Sequence, residues 1–205
     1  TCTNEAAAAA MLGASINYPL RGAVTWKSIV GTNVAADALS NLASPGVQGG
    51  ALIIVGEDYG EGASVIQERT HAFALKSSLW LIDPRPDLPT LVRMVEKGFE
   101  LSEASNTPVM LELRIRACHV HGSFETKDNV APRYSRRNPI TKPVFSLERI
   151  PLPPSNYTQE KHKIDVRLPE ALKFIQREQL NEFFAGDLRQ VGIVLQGGMY
   201  NTTIR

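Results

Sequence analysis

Gly49-Gly50-Ala51-Leu52-Ile53-Ile54-Val55-Gly56-Glu57-Asp58 decides the fold. The apolar residues at 51–55 run without a break between glycines. They lack the alternation of a strand with one wet face, and the run is too short for an ordinary helix, so it reads as a strand buried on both faces. Upstream, residues 22–27 hold Ala-Val-Thr-Trp and predict a second short strand. Between the two, 33–43 predicts a helix stopped by Ser44-Pro45-Gly46. A helix opening near Glu5 and ending before Tyr18-Pro19 comes first. Downstream of the glycine- and acid-rich loop 56–62, the pattern continues with a helix over 65–75 and a strand over 79–82, closed by Asp83-Pro84. Leu91, Val92, Val95 and Phe99 then mark one face of an amphipathic helix over 87–104, and 109–115 is a further strand. Short buried strands alternating with helices mean an α/β fold, a parallel sheet flanked by helices on both sides. Such sheets bind ligands beyond the carboxyl ends of their strands.

The texture changes after His121. Pro132, Pro139, Pro143, Pro151, Pro153 and Pro154 punctuate a connector over 124–167, followed by a helix over 170–184 and a strand over 190–195. The expected division is a sheet domain over 1–122, a Pro-rich linker with one helix over 123–187, and the start of a second α/β domain over 188–205. The chain opens on Thr1 and stops at Arg205 just inside that last unit, so it reads as an internal piece of a longer protein.

Composition narrows the classes. With 205 residues, 43% hydrophobic and 21% charged, and a net charge of +1, nothing electrostatic points to nucleic acid or to an anionic membrane surface. No apolar run reaches bilayer length. Cys2 and Cys118 make neither a disulfide scaffold nor an iron–sulfur site by themselves, and the cytoplasm is the default compartment.

Several segments carry candidate chemistry. Glu5 follows Asn4, a good helix cap, and precedes five alanines. Its charge falls in the first turn, where the helix dipole favours an anion. Methyl side chains let a neighbouring strand, subunit or ligand approach closely. That arrangement suits a carboxylate that holds a protonatable ring nitrogen; it equally suits a solvated acid matching the dipole. Lys27-Ser28-Ile29-Val30-Gly31-Thr32-Asn33 joins a strand to a helix, where Gly31 permits a turn whose N–H groups face an anion. The alternative is a plain connection capped by Thr32 or Asn33. The acids of 56–62 lack the spacing of a calcium loop. Gln67-Glu68-Arg69 stands at a helix start, where Arg69 can clamp a carboxylate bidentately or form a surface ion pair. Cys118-His119-Val120-His121 follows a strand, and alternation sends both histidines to one side. No further ligand cluster completes a metal site, so no metal is assigned.

Thr-Asn-Glu-Ala-Ala, Val-Thr-Trp-Lys, Asn-Val-Ala-Ala-Asp, Gly-Gly-Ala-Leu-Ile-Ile-Val-Gly-Glu-Asp, Gln-Glu-Arg and Arg-Ala-Cys-His together resemble one family. It is the pyrimidine-binding domain of thiamine-diphosphate-dependent 2-oxoacid:ferredoxin oxidoreductases, in the indolepyruvate (arylpyruvate) branch. The likeness runs from Thr1 to about Gly122. The closing Val-Gly-Ile-Val-Leu-Gln-Gly-Gly-Met-Tyr-Asn resembles the start of that family's transketolase C-terminal-like domain. The family's first strand and helix are expected before Thr1.

The resemblance implies oxidative decarboxylation of an aryl 2-oxoacid to its acyl-CoA, with electrons passed to ferredoxin. Thiamine diphosphate would be the cofactor; Mg2+ and 4Fe-4S clusters belong to the intact enzyme, with ligands outside this chain, which alone is expected to be inactive. Glu5 would hold the aminopyrimidine ring nitrogen, and Gly31 would line the cofactor. Arg69 would clamp the substrate carboxylate, with Lys27 beside it. Gln67 and Glu68 are adjacent candidates, and His119 aligns with a family histidine. The family's usual Lys-His is Lys27-Ser28 here, so the histidine's role does not pass to Ser28. Expected partners are an aryl 2-oxoacid, coenzyme A, ferredoxin, and other domains or subunits of the enzyme. A non-redox thiamine-dependent decarboxylase or synthase and a non-catalytic assembly module are the competing readings.

Overall fold

Leu52 and Ile53, adjacent residues pointing to opposite faces, are both fully buried. A strand with that property needs cover on each side, and the computed structural model, which describes residues 1–58, 69–131, 139, 142 and 145–204, supplies it. Strands β1 (Gly22–Lys27), β2 (Ala51–Glu57), β3 (Trp80–Ile82) and β4 (Val109–Arg114) form an all-parallel sheet in the order β1-β2-β4-β3. The α/β parallel sheet read from the sequence is therefore the observed fold.

Alternation assigns the two cores. On one face Trp26, Ile53, Val55 and Met110 pack with Ala9 and Leu12 of α1 (Glu5–Leu12), Leu39 and Leu42 of α2 (Ala36–Ala43), and Ala74 of α3 (Thr70–Ser77). On the other, Leu52, Val109 and Leu111 meet Met94 and Leu101 of α4 (Leu88–Ser105). A Cβ on Gly98 would lie 2.8 Å from Leu52 Cδ1, so glycine is what lets α4 settle this close to β2. Asn4 Oδ1 accepts from the Ala7 N–H at 2.8 Å and starts α1, as its cap preference predicts. Asp87 Oδ1 does the same for α4 at the Thr90 N–H, with Pro89 in the first turn.

Four local expectations change. Residues 28–32 form a widened π-type turn running into α2, whose start is capped by neither Thr32 nor Asn33; the Ala35 N–H bonds to the Gly31 carbonyl instead. β4 ends at Arg114, and Ile115–Cys118 is a short helix, α5, so the alternation invoked for His119 and His121 does not apply there. The helix over 65–75 is α3, starting at Thr70; residues 65–68 lie outside the described residues. Residues 190–195 pair with no strand among the described residues, and Val191, Ile193 and Val194 stand exposed. A strand is made by its neighbour, and this segment has none here.

The helical part of the connector both begins and ends earlier than expected, starting at Ser155 and closing at Arg177, not at Phe184. α6 (Ser155–His162) runs through a wide turn at 163–167 into α7 (Leu168–Arg177), whose Ala171 and Phe174 are buried in the α4 core. Arg167 fixes the attachment. Its side chain, 2% exposed, donates to the carbonyls of Ala43 (2.9 Å) and Ser44 (2.6 Å), and to His162 Nδ1 (3.2 Å). A cation on the last carbonyls of α2 also complements that helix's dipole. Burial nevertheless pushes the guanidinium down to about 10. Gln159 ties the same region, accepting from Ser44 Oγ at 2.7 Å and donating to the carbonyls of Glu148 and Ile150. Among the described residues no helix is long and apolar enough to cross a membrane.

Arg167→Ala should cost about 2–4 kcal/mol in equilibrium unfolding, since charged donors are removed from buried carbonyls that water cannot reach. A second expectation concerns acid. Desolvation, then the Arg167 charge, holds His162 below its ordinary value. The unfolded chain thus takes up that proton first: the stability is present above the ordinary histidine value of about 6.5 and is lost as pH falls. Unfolding followed between pH 8 and pH 5 should show this slope, and His162→Gln should flatten it.

Candidate functional site

Parallel strands place all their carboxyl ends at one edge, and the helices decide what stands there. α1 runs back along β1: Leu12 sits against Gly22 at the strand's beginning. Glu5, about 10 Å away along the helix, is thereby brought to the carboxyl edge. Its side chain is half-buried and forms no salt bridge among the described residues. The turn 28–32 leaves β1 at the same edge and contacts both α1 and α3. α3 begins there as well, so Arg69, the residue before its first turn, lies at the edge too and is exposed.

Beneath Arg69 lies a polar chain that carries no sequence motif. Glu57, the last residue of β2, is 3% exposed on the face covered by α1–α3. Its Oε2 accepts from the Thr70 N–H at 3.1 Å and also from the Thr70 hydroxyl. Thr70 Oγ1 in turn lies 2.9 Å from Ser28 Oγ. The threonine proton is already committed to the carboxylate, so Ser28 is the donor in this pair. Thr70 and Ser28 are 0% and 2% exposed. One buried carboxylate therefore ties together the ends of β1 and β2 and the start of α3.

Lys27 points to the other face of β1 and forms an ion pair with Asp58, Nζ to Oδ2 at 3.2 Å. Gly31 is buried, and a Cβ there would lie 2.3 Å from the Trp26 ring, whose Nε1 donates to Thr32 Oγ1 at 3.2 Å. The structure thus gives Gly31 a packing reason: the wide turn folds over an indole. His119 closes α5, its N–H bonded to the Ile115 carbonyl at 3.2 Å, and is exposed. Cys118 beside it is close enough to Asp58 to feel its charge. Gln67 and Glu68, with the acid loop from Tyr59 on, lie outside the described residues.

The edge thus gathers Glu5, Lys27, Arg69 and the Glu57–Thr70–Ser28 chain, and sequence reasoning missed the last. A signal was present: Ala51, Ile53, Val55 and Glu57 share one face at spacing two, which puts a carboxylate on a buried row. Among the described residues no group of three or more His, Cys, Asp or Glu is gathered to hold a metal ion. A fixed carboxylate in a helix's first turn can hold a protonated ring nitrogen, and an arginine at the same edge can hold an organic anion.

Cys118 is exposed at the surface, yet partial desolvation of its thiol, and second the Asp58 charge, raise it above its ordinary value. The thiolate is the reactive form, so iodoacetamide at pH 8 should alkylate Cys118 more slowly than a model thiol in a Cys2→Ser background. Asp58→Asn should speed the reaction.

No family model matches the chain. It is 26% identical over 182 residues to indolepyruvate oxidoreductase subunit IorA of Methanothermobacter thermautotrophicus, covering 86% of this chain and 28% of that protein. The subunit of the same name from Methanothermobacter marburgensis is 23% identical over 181 residues, with the same coverage. That of Thermococcus kodakarensis is 32% identical over 100 residues, 49% of this chain and 15% of the relative. The chain thus spans 28% of the length of the first two relatives.

Proposed function

From the chain's similarity to the indolepyruvate oxidoreductase subunits IorA, the branch its motifs resemble, we propose that it carries the pyrimidine side of a thiamine-diphosphate site in an aryl 2-oxoacid:ferredoxin oxidoreductase. The observation that carries this reading is the position of Glu5: capped in by Asn4, in the first turn of a small-residue helix, at the carboxyl edge of a parallel sheet. The chemistry of the side chain fits the cofactor, because a carboxylate is the acceptor that a protonated pyrimidine nitrogen requires.

In this reading Glu5 takes a hydrogen bond from the ring nitrogen and keeps a proton there. Alanines at 6–10 keep the helix surface shallow, so a flat heterocycle reaches the carboxylate without meeting a long side chain. Arg69 holds the substrate carboxylate through paired N–H donors, a geometry lysine does not offer. Lys27, paired with Asp58, shapes the rim. Gly31 contributes through the turn that Trp26 supports, and His119 stands beyond β4 at the same edge. When bound, thiamine diphosphate supplies the carbon chemistry of decarboxylation, and the protein supplies orientation and a directed proton. Mg2+, 4Fe-4S clusters and the sites for coenzyme A and ferredoxin are assigned to other parts of the whole enzyme. The acceptor side of the reaction, acyl-CoA formation with electrons leaving to ferredoxin, is assigned there too, in the cytoplasm.

Glu5→Gln in the full-length enzyme should lower turnover of an aryl 2-oxoacid by about two orders of magnitude or more, the scale of lost acid–base assistance. Thermal stability should change little, because the side chain is half-exposed at a helix end. Turnover that survives the substitution would remove Glu5 from the chemistry.

A further inference from the structure

Arg69 occupies the cap position of α3, yet no side chain at that position caps the helix, so the first N–H groups of α3 must be satisfied from elsewhere. Thr70 is fully buried, and water cannot serve its N–H. Glu57 does so from the neighbouring strand, receiving both the N–H and the hydroxyl of Thr70. Its charge also faces the positive end of α3. Arg69 is held on its other side by its own helix, since its carbonyl accepts from Ala72 (3.1 Å) and Phe73 (3.3 Å). Ser28 Oγ, 2.9 Å from Thr70 Oγ1, extends the clamp to the turn that also touches α1.

We infer that Glu57 is a positioning residue for Arg69, fixing through Thr70 and Ser28 where the arginine leaves the carboxyl edge of the sheet. The inference rests on the reading of Arg69 as the substrate-carboxylate clamp, and it adds the device that aims that clamp. The buried carboxylate answers donors that no apolar side chain could. An apolar residue would fill the row begun by Ala51, Ile53 and Val55, but it would leave the Thr70 N–H unpaired and the start of α3 free to shift. The chain Glu57–Thr70–Ser28 also links α3, which presents Arg69, to the turn 28–32, which touches the helix that presents Glu5. A displaced α3 would therefore move the arginine relative to the acid, and misplacement of about 1 Å is costly to a bound geometry.

The test uses the full-length oxidoreductase carrying this segment, with an aryl 2-oxoacid as substrate. Thr70→Val keeps the branched shape and the N–H and removes the hydroxyl; Glu57→Gln keeps an acceptor and removes the charge; Thr70→Ser keeps every bond. We expect Thr70→Val and Glu57→Gln to raise KM about tenfold while lowering kcat less, and Thr70→Ser to retain the parent KM. In an Arg69→Ala background, which itself raises KM, the Thr70→Val effect should vanish, because coupled residues are non-additive. If Arg69→Ala raises KM and Thr70→Val does not, the positioning role is overturned while the clamp stands. The positioning role is equally overturned if Thr70→Val raises KM by the same factor with and without Arg69. If Arg69→Ala leaves KM unchanged, the clamp itself falls and takes this inference with it. Should Glu57→Gln fold poorly, Thr70→Val and Thr70→Ser decide alone.

Discussion

The second strand, β2, is dry on both faces, and the rest of the molecule is arranged to keep it so. Its register with β1 on one side and β4 on the other, parallel throughout, forces each connection to cross over the sheet. The crossovers are the helices, and they are what bury Leu52 on one face and Ile53 on the other. Parallel strands also point all their carboxyl ends the same way. Helices that follow strands then begin at the carboxyl edge with their positive ends, and α1, running back along β1, starts there too. Charged groups suited to a bound anion or a polar heterocycle collect at that edge for this geometric reason.

The buried carboxylate of Glu57 is where packing and chemistry meet. Taking an acid out of water is costly unless its lone pairs are used, and here Oε2 is used twice, by one residue's backbone and side chain. The connector is fastened on a similar principle. Arg167 enters the interior and is answered by main-chain carbonyls at the end of α2. Both groups link elements far apart in sequence, and both do so with directional bonds where apolar contact alone would permit sliding.

Much is legible from the residues. The strand at 51–55, the strand at 22–27 and the amphipathic helix over 87–104 declare themselves through continuous or periodic apolar patterns, and each stands in the fold with its limits moved by a residue or two. Asn4 and Asp87 cap their helices as local chemistry dictates. Sequence context singles out Glu5, Lys27 and Arg69. The packing of α1 back along β1 and the start of α3 bring Glu5 and Arg69 to the edge where β1 ends in Lys27, whose side chain points to the opposite face. What fails is extrapolation past an element's end. β4 bends into α5 after Arg114, so His119 closes a helical turn, and the apolar run at 190–195 lies unpaired among the described residues.

The sequence by itself determined the alternation of strand and helix, because apolar period and capping residues act over a few neighbours along the chain. It likewise determined that an acid would head the first helix, whereas the start of α3 right after Arg69 came from the structure. Only the tertiary structure decided that Ser28, Glu57 and Thr70 meet, since their contacts span up to 42 positions of sequence and depend on which strand lies beside which. Only the structure, too, decided that Arg167 would be buried, for an arginine in a proline-rich connector looks solvated until α2 offers it carbonyls. Period is a local property, whereas the pairing of distant polar groups is set by strand order, which no short window of residues encodes.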